Sequence, residues 1–326
     1  MGFNRCEYNS IQLVFVYFCF NYSFDYTLVI TSSVCPDSNL LKPCSCGGDN
    51  INAYINCGGH EDIDLVKIFK TLDKQLPRTL EGRHFKSFYL YKSFITELKE
   101  NTFSDITFDS IWIRDCSKLK TIHVNAFNTT DQVTTDIYIE HNPVLTSPDN
   151  SIFQVLSKFI RAKLILLRHN NKTEIPSNAF RNIVGKQEQL NKLEFGGSSF
   201  KRLGNNAFSV LNLEYLTITV TSIDIIPENA FEFNVSDRRL LINLANNYLL
   251  DNTGFAVNSL TRFNRPTIID LRNKRFPYLD EKIFLPFLLS NTENMIELRL
   301  NSLNCIDFRN YWILTRSELI NQLFTR

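Results

Sequence analysis

Two stretches of the sequence share one pattern, and that pattern decides the fold. They are FYLYKSFITELKENTF at residues 88–103 and IWIRDCSKLKTIHVNAF at residues 111–127. Each begins with an apolar-x-apolar pair, continues to a small polar residue three positions later, and ends in Phe. Because successive strand residues point to opposite faces, the pair predicts a short strand with alternate side chains buried. The small polar residue then predicts a turn.

The same pattern returns farther along the chain. It is present in LEFGGSSFKRLGNNAF at 193–208, LTITVTSIDIIPENAF at 216–231 and IDLRNKRFPYLDEKIF at 269–284. The recurring phenylalanines, 23 to 29 residues apart, are Phe103, Phe127, Phe153, Phe180, Phe208, Phe231, Phe255 and Phe284. One such unit cannot bury its own apolar face, so neighbours must stack into a solenoid. We expect the phenylalanines to form a buried column on its convex side.

This period and pattern resemble the leucine-rich repeat. The fold class is then an α/β leucine-rich-repeat solenoid, with parallel strands on the concave face and an irregular or short-helical convex side. We expect about nine repeats over residues 85–303, a cysteine-rich cap and helix at 34–84, and a partial C-terminal cap at 304–326. The turn positions form a predicted ladder of Ser93, Cys116, Asn142, Asn170, Ser198, Thr221, Asn247 and Lys274.

Two ladder members carry specific expectations. An inward polar side chain at the turn can bond free backbone groups of the turn and of its neighbour. Cys116 is therefore predicted to be a buried ladder residue rather than a nucleophile. Lys274 departs from the pattern, and its side chain should point elsewhere.

The N-terminal segment, residues 1–33, is predicted to be a signal peptide. Its apolar stretch at 11–20 is too short to span a bilayer, and no other apolar run approaches 18 residues. We therefore expect a secreted chain without a transmembrane anchor. Four cysteines between residues 35 and 57 indicate disulfides in an oxidising compartment. The glycosylation sequons are Asn21, Asn128, Asn171 and Asn234.

The four cap cysteines allow three disulfide connectivities, and a zinc site is the alternative. Their CP…CxC…C arrangement resembles the N-terminal flank of extracellular leucine-rich-repeat proteins. That resemblance implies pairing of Cys35 with Cys46 and of Cys44 with Cys57. The segment after them, DLVKIFKTL at 64–72, has apolar residues at helical spacing and predicts a helix packed on the first repeat.

The whole arrangement is similar to arthropod leucine-rich-repeat proteins related to the non-catalytic subunit of oplophorus-luciferin 2-monooxygenase. The similarity rests on the cap, the helix, the first repeat and NCIDFRNYW at 304–312. It implies a secreted, non-catalytic chain, for which a catalytic subunit is one kind of partner. Cys305 resembles the start of a C-terminal cysteine flank, but no cysteine follows it. A scaffold subunit and the ectodomain of an anchored receptor are the alternatives to a secreted binding protein.

The predicted ligand-binding residues lie on the outward face of three successive strands. In such solenoids the concave face meets the ligand, which we expect to be an extracellular protein or a glycan. Aligning the strands on the ladder gives the outward residues Tyr89, Trp112, Tyr138, Tyr91, Arg114 and Glu140. Strands lie about 4.8 Å apart, so the aromatic rings can form one strip of the kind found in binding hot spots. The alternative is that the rings merely cover the sheet.

Other polar groups are expected to be solvated. Asp115, His141 and His169 fall in one column, which could hold a metal or respond to pH, but we expect no metal. The charged residues Asp270, Arg272, Glu297 and Arg299 are expected to form solvated cross-strand pairs. No phosphate loop, G-x-S-x-G or H-E-x-x-H motif is present, so we expect neither an enzyme nor a cofactor. A net charge of +1 argues against nucleic acid.

Overall fold

The computed structural model describes most of the chain from residue 35 to residue 323. The described ranges are 35–49, 51–59, 62–146, 151–180, 190–197, 199–208, 213–231, 233, 238–247, 250–251, 253–263, 265–272, 276–304 and 306–323. Several predictions fall outside these ranges, namely those on the signal segment, Asn21, Ser198, Asn234, Lys274 and Cys305.

The N-terminal cap is closed by two disulfides and extends the repeat sheet. It comprises α1 (Ser38–Leu41), β1 (Ser45–Gly47), β2 (Tyr54–Asn56), α2 (Leu65–Gln75) and α3 (Leu80–Arg83). The disulfides are Cys35–Cys46 and Cys44–Cys57, the pairing implied by the sequence resemblance. Strand β2 pairs antiparallel with β1 and parallel with the first repeat strand, so it belongs to both cap and sheet.

Helix α2 begins where its sequence provides a cap. The Asp64 carboxylate accepts a hydrogen bond from the Lys67 amide at 3.0 Å, which satisfies one of the free donors of the first turn. The helix buries Leu65, Phe69 and Leu72 against the first repeat, with the Phe69 ring 5.7 Å from that of Phe88.

The repeats follow as short strands joined by irregular or briefly helical segments. The strands are β3 (His84–Tyr91), β4 (Glu97–Leu98), β5 (Thr107–Arg114), β6 (Thr121–Ile122), β7 (Asp136–Glu140), β8 (Leu164–Arg168), β9 (Glu174–Ile175), β10 (Lys192–Gly196), β11 (Arg202–Leu203), β12 (Tyr215–Thr219), β13 (Leu240–Asn243), β14 (Thr267–Asp270) and β15 (Met295–Glu297). The connections carry α4 (Ser151–Leu156), α5 (Glu281–Ser290) and a 3₁₀ turn at Thr130–Gln132.

The main sheet runs in chain order, as a solenoid requires. Across the described residues its eleven strands are ordered β1-β2-β3-β5-β7-β8-β10-β12-β13-β14-β15, and every pair after β1–β2 is parallel. The short pairs β4–β6 and β9–β11 are parallel too. This topology confirms the predicted leucine-rich-repeat solenoid.

The recurring phenylalanines fill the interior. All eight are at most 4% exposed, and rings of successive repeats touch, with centroids 5.6 Å apart for Phe103 and Phe127 and 6.1 Å for Phe208 and Phe231. The predicted column is therefore buried. After Phe127 the stack continues through Phe159, 5.2 Å away, because that longer repeat supplies a second phenylalanine.

The polar ladder forms at the turns. The side-chain oxygen of Asn142 accepts from the Cys116 amide at 3.0 Å, and that of Asn247 accepts from the Thr221 amide at 2.8 Å. Each asparagine thereby satisfies backbone groups that the solenoid turn leaves without a strand partner. Cys116 is fully buried, and its burial raises the pKa of the thiol to about 11, which suits a structural residue.

The last repeat is covered by short helical turns, Phe308–Asn310, α6 (Tyr311–Thr315), Ser317–Leu319 and α7 (Ile320–Leu323). The Trp312 indole donates to the Leu279 carbonyl at 3.0 Å, and the Gln322 amide donates to the Asn294 carbonyl at 2.9 Å. We refer to residues 300–323 as the C-terminal cap. No helix in the described part of the chain has the length and apolarity needed to cross a membrane.

Candidate functional site

Four aromatic side chains line up across neighbouring strands at the N-terminal end of the concave face. We call Tyr54, Tyr89, Trp112 and Tyr138 the aromatic strip. The Trp112 and Tyr138 rings stack, with centroids 3.5 Å apart and planes 9° from parallel. The Tyr89 ring lies 6.2 Å from Trp112, and the Tyr54 ring meets Tyr89 edge-on at 5.7 Å. Three of these rings were predicted, and the structure brings them together.

The strand register explains this alignment. Tyr89 is opposite Trp112, and Trp112 is opposite Tyr138, in parallel strands whose flanking residues point into the core. Parallel in-register strands place identical positions about 4.8 Å apart, which is close enough for rings to touch.

Tyr54 was missed at the sequence level. It lies in the disulfide-bonded loop of the cap, where no Phe-ended repeat marks a strand. Its register partner in β3 is Ser87, two residues before Tyr89 in the same strand, so its ring reaches Tyr89 diagonally. The only sequence signal for strand β2 is that Tyr54 and Asn56 lie two residues apart, just before Cys57, as outward residues of a strand do.

The predicted residues of the next column border the strip. Tyr91, Arg114 and Glu140 are opposite one another in register. The Tyr91 ring lies 5.5 Å from that of Tyr89, while the Arg114 guanidinium leans toward the Asp115 carboxylate at 3.4 Å. Burial, and to a lesser degree the neighbouring Tyr89, raises the pKa of Tyr91, and burial followed by Asp136 raises that of Tyr138. Both phenols therefore remain neutral hydrogen-bond donors at physiological pH.

The column beyond contains the predicted histidines. Asp115, His141 and His169 all adopt positive φ at equivalent turns, and the two imidazole rings stack with centroids 4.6 Å apart. Burial, followed by the nearby His141 and Arg168, lowers the pKa of His169, which favours its neutral form. Among the described residues, no group of three or more His, Cys, Asp or Glu side chains could hold a metal.

The strip column changes character from β10 onward. From there it holds Glu194, Thr217, Asn243, Asp270 and Glu297, so three of its five residues are carboxylates. Glu194 accepts from both Arg168 and Lys192. The expectation of solvated cross-strand pairs here is wrong. Asp270 and Glu297 are only 6% and 9% exposed, and each pairs with the arginine two residues later in its own chain segment.

The same-segment pairing has a geometric cause. β14 ends at Asp270 and β15 at Glu297, and in the turn that follows the amide two residues later donates to each carboxylate, at 3.0 Å from Arg272 and 3.4 Å from Arg299. The side chain of the same arginine therefore lies beside that carboxylate, at 2.7 Å in both pairs. The Asp270 carboxylate raises the pKa of Arg272, mainly through their hydrogen bonds. Buried carboxylates stay charged only when they are paired in this way.

The two described sequons differ in accessibility. Asn171 is exposed, whereas Asn128 is half-buried and its amide donates to the Asn101 side chain at 2.7 Å. Glycosylation at Asn128, Asn171 and Asn234 stays a prediction.

Comparison with known protein families agrees with this architecture. The description "BspA type Leucine rich repeat region" matches in six copies, over residues 51–185 and 165–280. The chain belongs to this leucine-rich-repeat family. The matched residues include every strand of the aromatic strip. Leucine-rich repeats generally serve as non-catalytic protein-interaction modules, and their strands line the binding face. No curated protein matches the chain.

Proposed function

We propose that this chain is a secreted, non-catalytic binding protein that recognises an extracellular protein through the aromatic strip. The observation that carries the proposal is the uninterrupted contact of four rings across four strands on the face that leucine-rich repeats use for ligands. Solvent reaches every ring of the strip. Tyrosine, tryptophan and arginine together dominate protein-binding hot spots.

The ring geometry favours a protein over a glycan. A sugar packs its C–H face on a free aromatic face, but Trp112 and Tyr138 turn their inner faces toward each other at 3.5 Å. The strip therefore offers ring edges and phenolic hydroxyls, which suit the apolar side chains and backbone carbonyls of a protein. Arg114 and Glu140 on the border add charges of both signs for orientation.

The proposal that the chain is secreted rests on the disulfides of the N-terminal cap. Two disulfides within 23 residues, from Cys35 to Cys57, are typical of proteins in an oxidising compartment. The predicted signal segment and the exposed Asn171 sequon agree with this location.

A site-specific photocrosslinking experiment tests the proposal. Benzoylphenylalanine is placed at Leu166, which is opposite Tyr138 in register, or at Leu241, which lies three strands farther along the sheet. Both leucines are half-buried on the concave face, so the two variants are matched in environment. We expect a discrete crosslinked protein from Leu166 and none from Leu241. A glycan product, or equal crosslinking from both positions, would contradict the proposal.

A further inference from the structure

The C-terminal cap carries the densest exposed apolar surface in the described chain. Of the thirteen large apolar residues in the described chain that are at least 37% exposed, six lie between residues 300 and 320. Their exposed fractions are 77% for Leu300, 92% for Ile306, 85% for Phe308, 65% for Tyr311, 60% for Leu314 and 41% for Ile320. A solenoid cap that faced only water would be polar, because its task is to shield the last repeat. The surface therefore indicates an interface.

The same cap also contains an apolar hollow. It has a volume of about 450 Å³ and lies between the end of β15 and α6–α7, with walls that include Leu298, Leu303, Ile313 and Leu323. This volume is in the range of occupied protein pockets. The polar side chains beside it already have hydrogen-bond partners. The Asn301 side-chain amide donates to the Leu271 carbonyl, and that of Asn310 donates to the Pro277 carbonyl. The hollow thus fits apolar side chains without further hydrogen-bonding demands.

Charge on the patch is balanced residue by residue. Asp307 pairs with Arg309 at 2.6 Å, and Glu297 at the edge of the hollow pairs with Arg299 at 2.7 Å. A patch of this kind neither attracts nor repels a strongly charged partner. The same surface carries both exposed apolar side chains and an apolar hollow, so two copies facing each other across a two-fold axis can fill both at once.

We propose that two copies of this chain associate through their C-terminal caps in a two-fold symmetric dimer. In it, Ile306 and Phe308 of each copy enter the hollow of the partner, so exposed apolar side chains and empty apolar space are satisfied together. Phe308 and Tyr311 alone expose on the order of 300 Å², a sizeable share of the roughly 800 Å² that each partner buries in a standard interface. The inference does not depend on the aromatic strip, which lies at the other end of the sheet.

Sedimentation equilibrium of the full chain tests the dimer. The variants are Phe308→Glu and Ile306→Glu, with Ile51→Glu as the matched control, because Ile51 is 83% exposed in the N-terminal cap. We expect the wild type and Ile51→Glu to sediment with twice the chain mass. Each cap variant should raise the dimer Kd by about 100-fold, as expected for the loss of an interface anchor. Circular dichroism should show the same secondary structure in the wild type and in all three variants, because the substitutions lie at exposed positions.

Three outcomes would overturn the inference. The first is a wild-type chain that stays monomeric at all concentrations up to about 100 µM, because a specific dimer with an interface of this size should have a lower Kd. The second is a dimer that all three variants retain equally, because the interface would then lie elsewhere. The third is a dimer that disappears in Cys305→Ser, since association would then depend on a disulfide rather than on the apolar patch.

Discussion

The two halves of the concave face share one backbone plan but hold opposite chemistry. In the aromatic half, strands β2 to β7, the outward column presents stacked rings. In the charged half, strands β10 to β15, three of the five residues in the same column are carboxylates that pair with arginine or lysine, namely Glu194, Asp270 and Glu297. The repeat therefore fixes strand register and core, while the outward positions are free to differ. Binding specificity can be confined to one half without altering the fold.

The halves also differ in how many of their outward groups already have partners within the protein. Asp270 receives several hydrogen bonds from Arg272, and Glu194 receives two cations, so little capacity remains for a ligand. Buried ion pairs of this kind contribute little net stability but are costly to break singly. The rings of the aromatic half, in contrast, leave their edges and hydroxyls available. We therefore assign ligand contact to the aromatic half and a structural role to the charged half.

Removing a cap disulfide should produce the largest effect and should be confined to the aromatic half. Cys44→Ser opens the loop that holds β2 and Tyr54, and we expect unfolding free energy to fall by about 2–5 kcal/mol. Hydrogen exchange should accelerate in β1–β3 while β12–β14 stay protected. A Cys44→Ser, Cys57→Ser double variant should cost no more than either single variant. Additive losses would contradict the Cys44–Cys57 pairing.

Truncating the central ring should weaken ligand binding without unfolding the protein. We expect Trp112→Ala to reduce affinity for the crosslinked partner by about 2 kcal/mol, because hot-spot aromatic residues contribute on this scale. Thr217→Ala, at the equivalent position of β12, should leave affinity unchanged. Calorimetric titration of both variants provides the measurement. Equal affinities for Trp112→Ala and the wild type would show that the strip only covers the sheet and does not contact the ligand.

Neutralising a clamped carboxylate should affect stability but not binding. Glu194→Gln weakens the contacts with Arg168 and Lys192, and we expect a loss of about 1–2 kcal/mol, limited because both cations reach solvent. Glu293→Gln is the control, since the side chains of the Glu293–Arg239 pair are 60% and 56% exposed and the pair should contribute almost nothing. Urea denaturation measures both. An affinity loss in Glu194→Gln would show that the charged half does contact the ligand.

The smallest expected effect is a dependence of stability on pH. Burial lowers the pKa of His169 below 6.5, so the unfolded chain binds this proton at a higher pH than the folded chain does. The free energy of unfolding should therefore decline as pH falls from 7 toward 5, and His169→Gln should flatten that decline. Thermal denaturation across this range is the measurement. Identical slopes for the variant and the wild type would rule out His169 as the cause.

Much of the fold could be predicted because its physical signals are local and repeated. Phe103, Phe127 and the later phenylalanines mark each turn, and strand alternation places Trp112 and Tyr138 on one face. Asn142 and Asn247 follow from the need to satisfy turn backbone groups. These features depend on the period alone, and a single sequence displays the period many times.

The remaining features depend on contacts that no period encodes. Tyr54 joins the strip only because two disulfides fold the cap loop into a strand. The burial of Asp270 depends on Arg272 folding back along the same segment, which sequence spacing alone cannot distinguish from a cross-strand pair. The apolar hollow of the C-terminal cap arises from the packing of α6 and α7 beneath β15.

The chain's two tryptophans allow the most direct test of the division between the halves. Trp112 lies in the aromatic strip and Trp312 is buried in the C-terminal cap. Trp312→Phe leaves Trp112 as the only indole, and Trp112→Phe is the converse control. On adding the crosslinked partner, we expect acrylamide quenching of Trp112 to fall sharply and that of Trp312 to stay constant. Unchanged quenching of Trp112 in a complex that demonstrably forms would contradict the account.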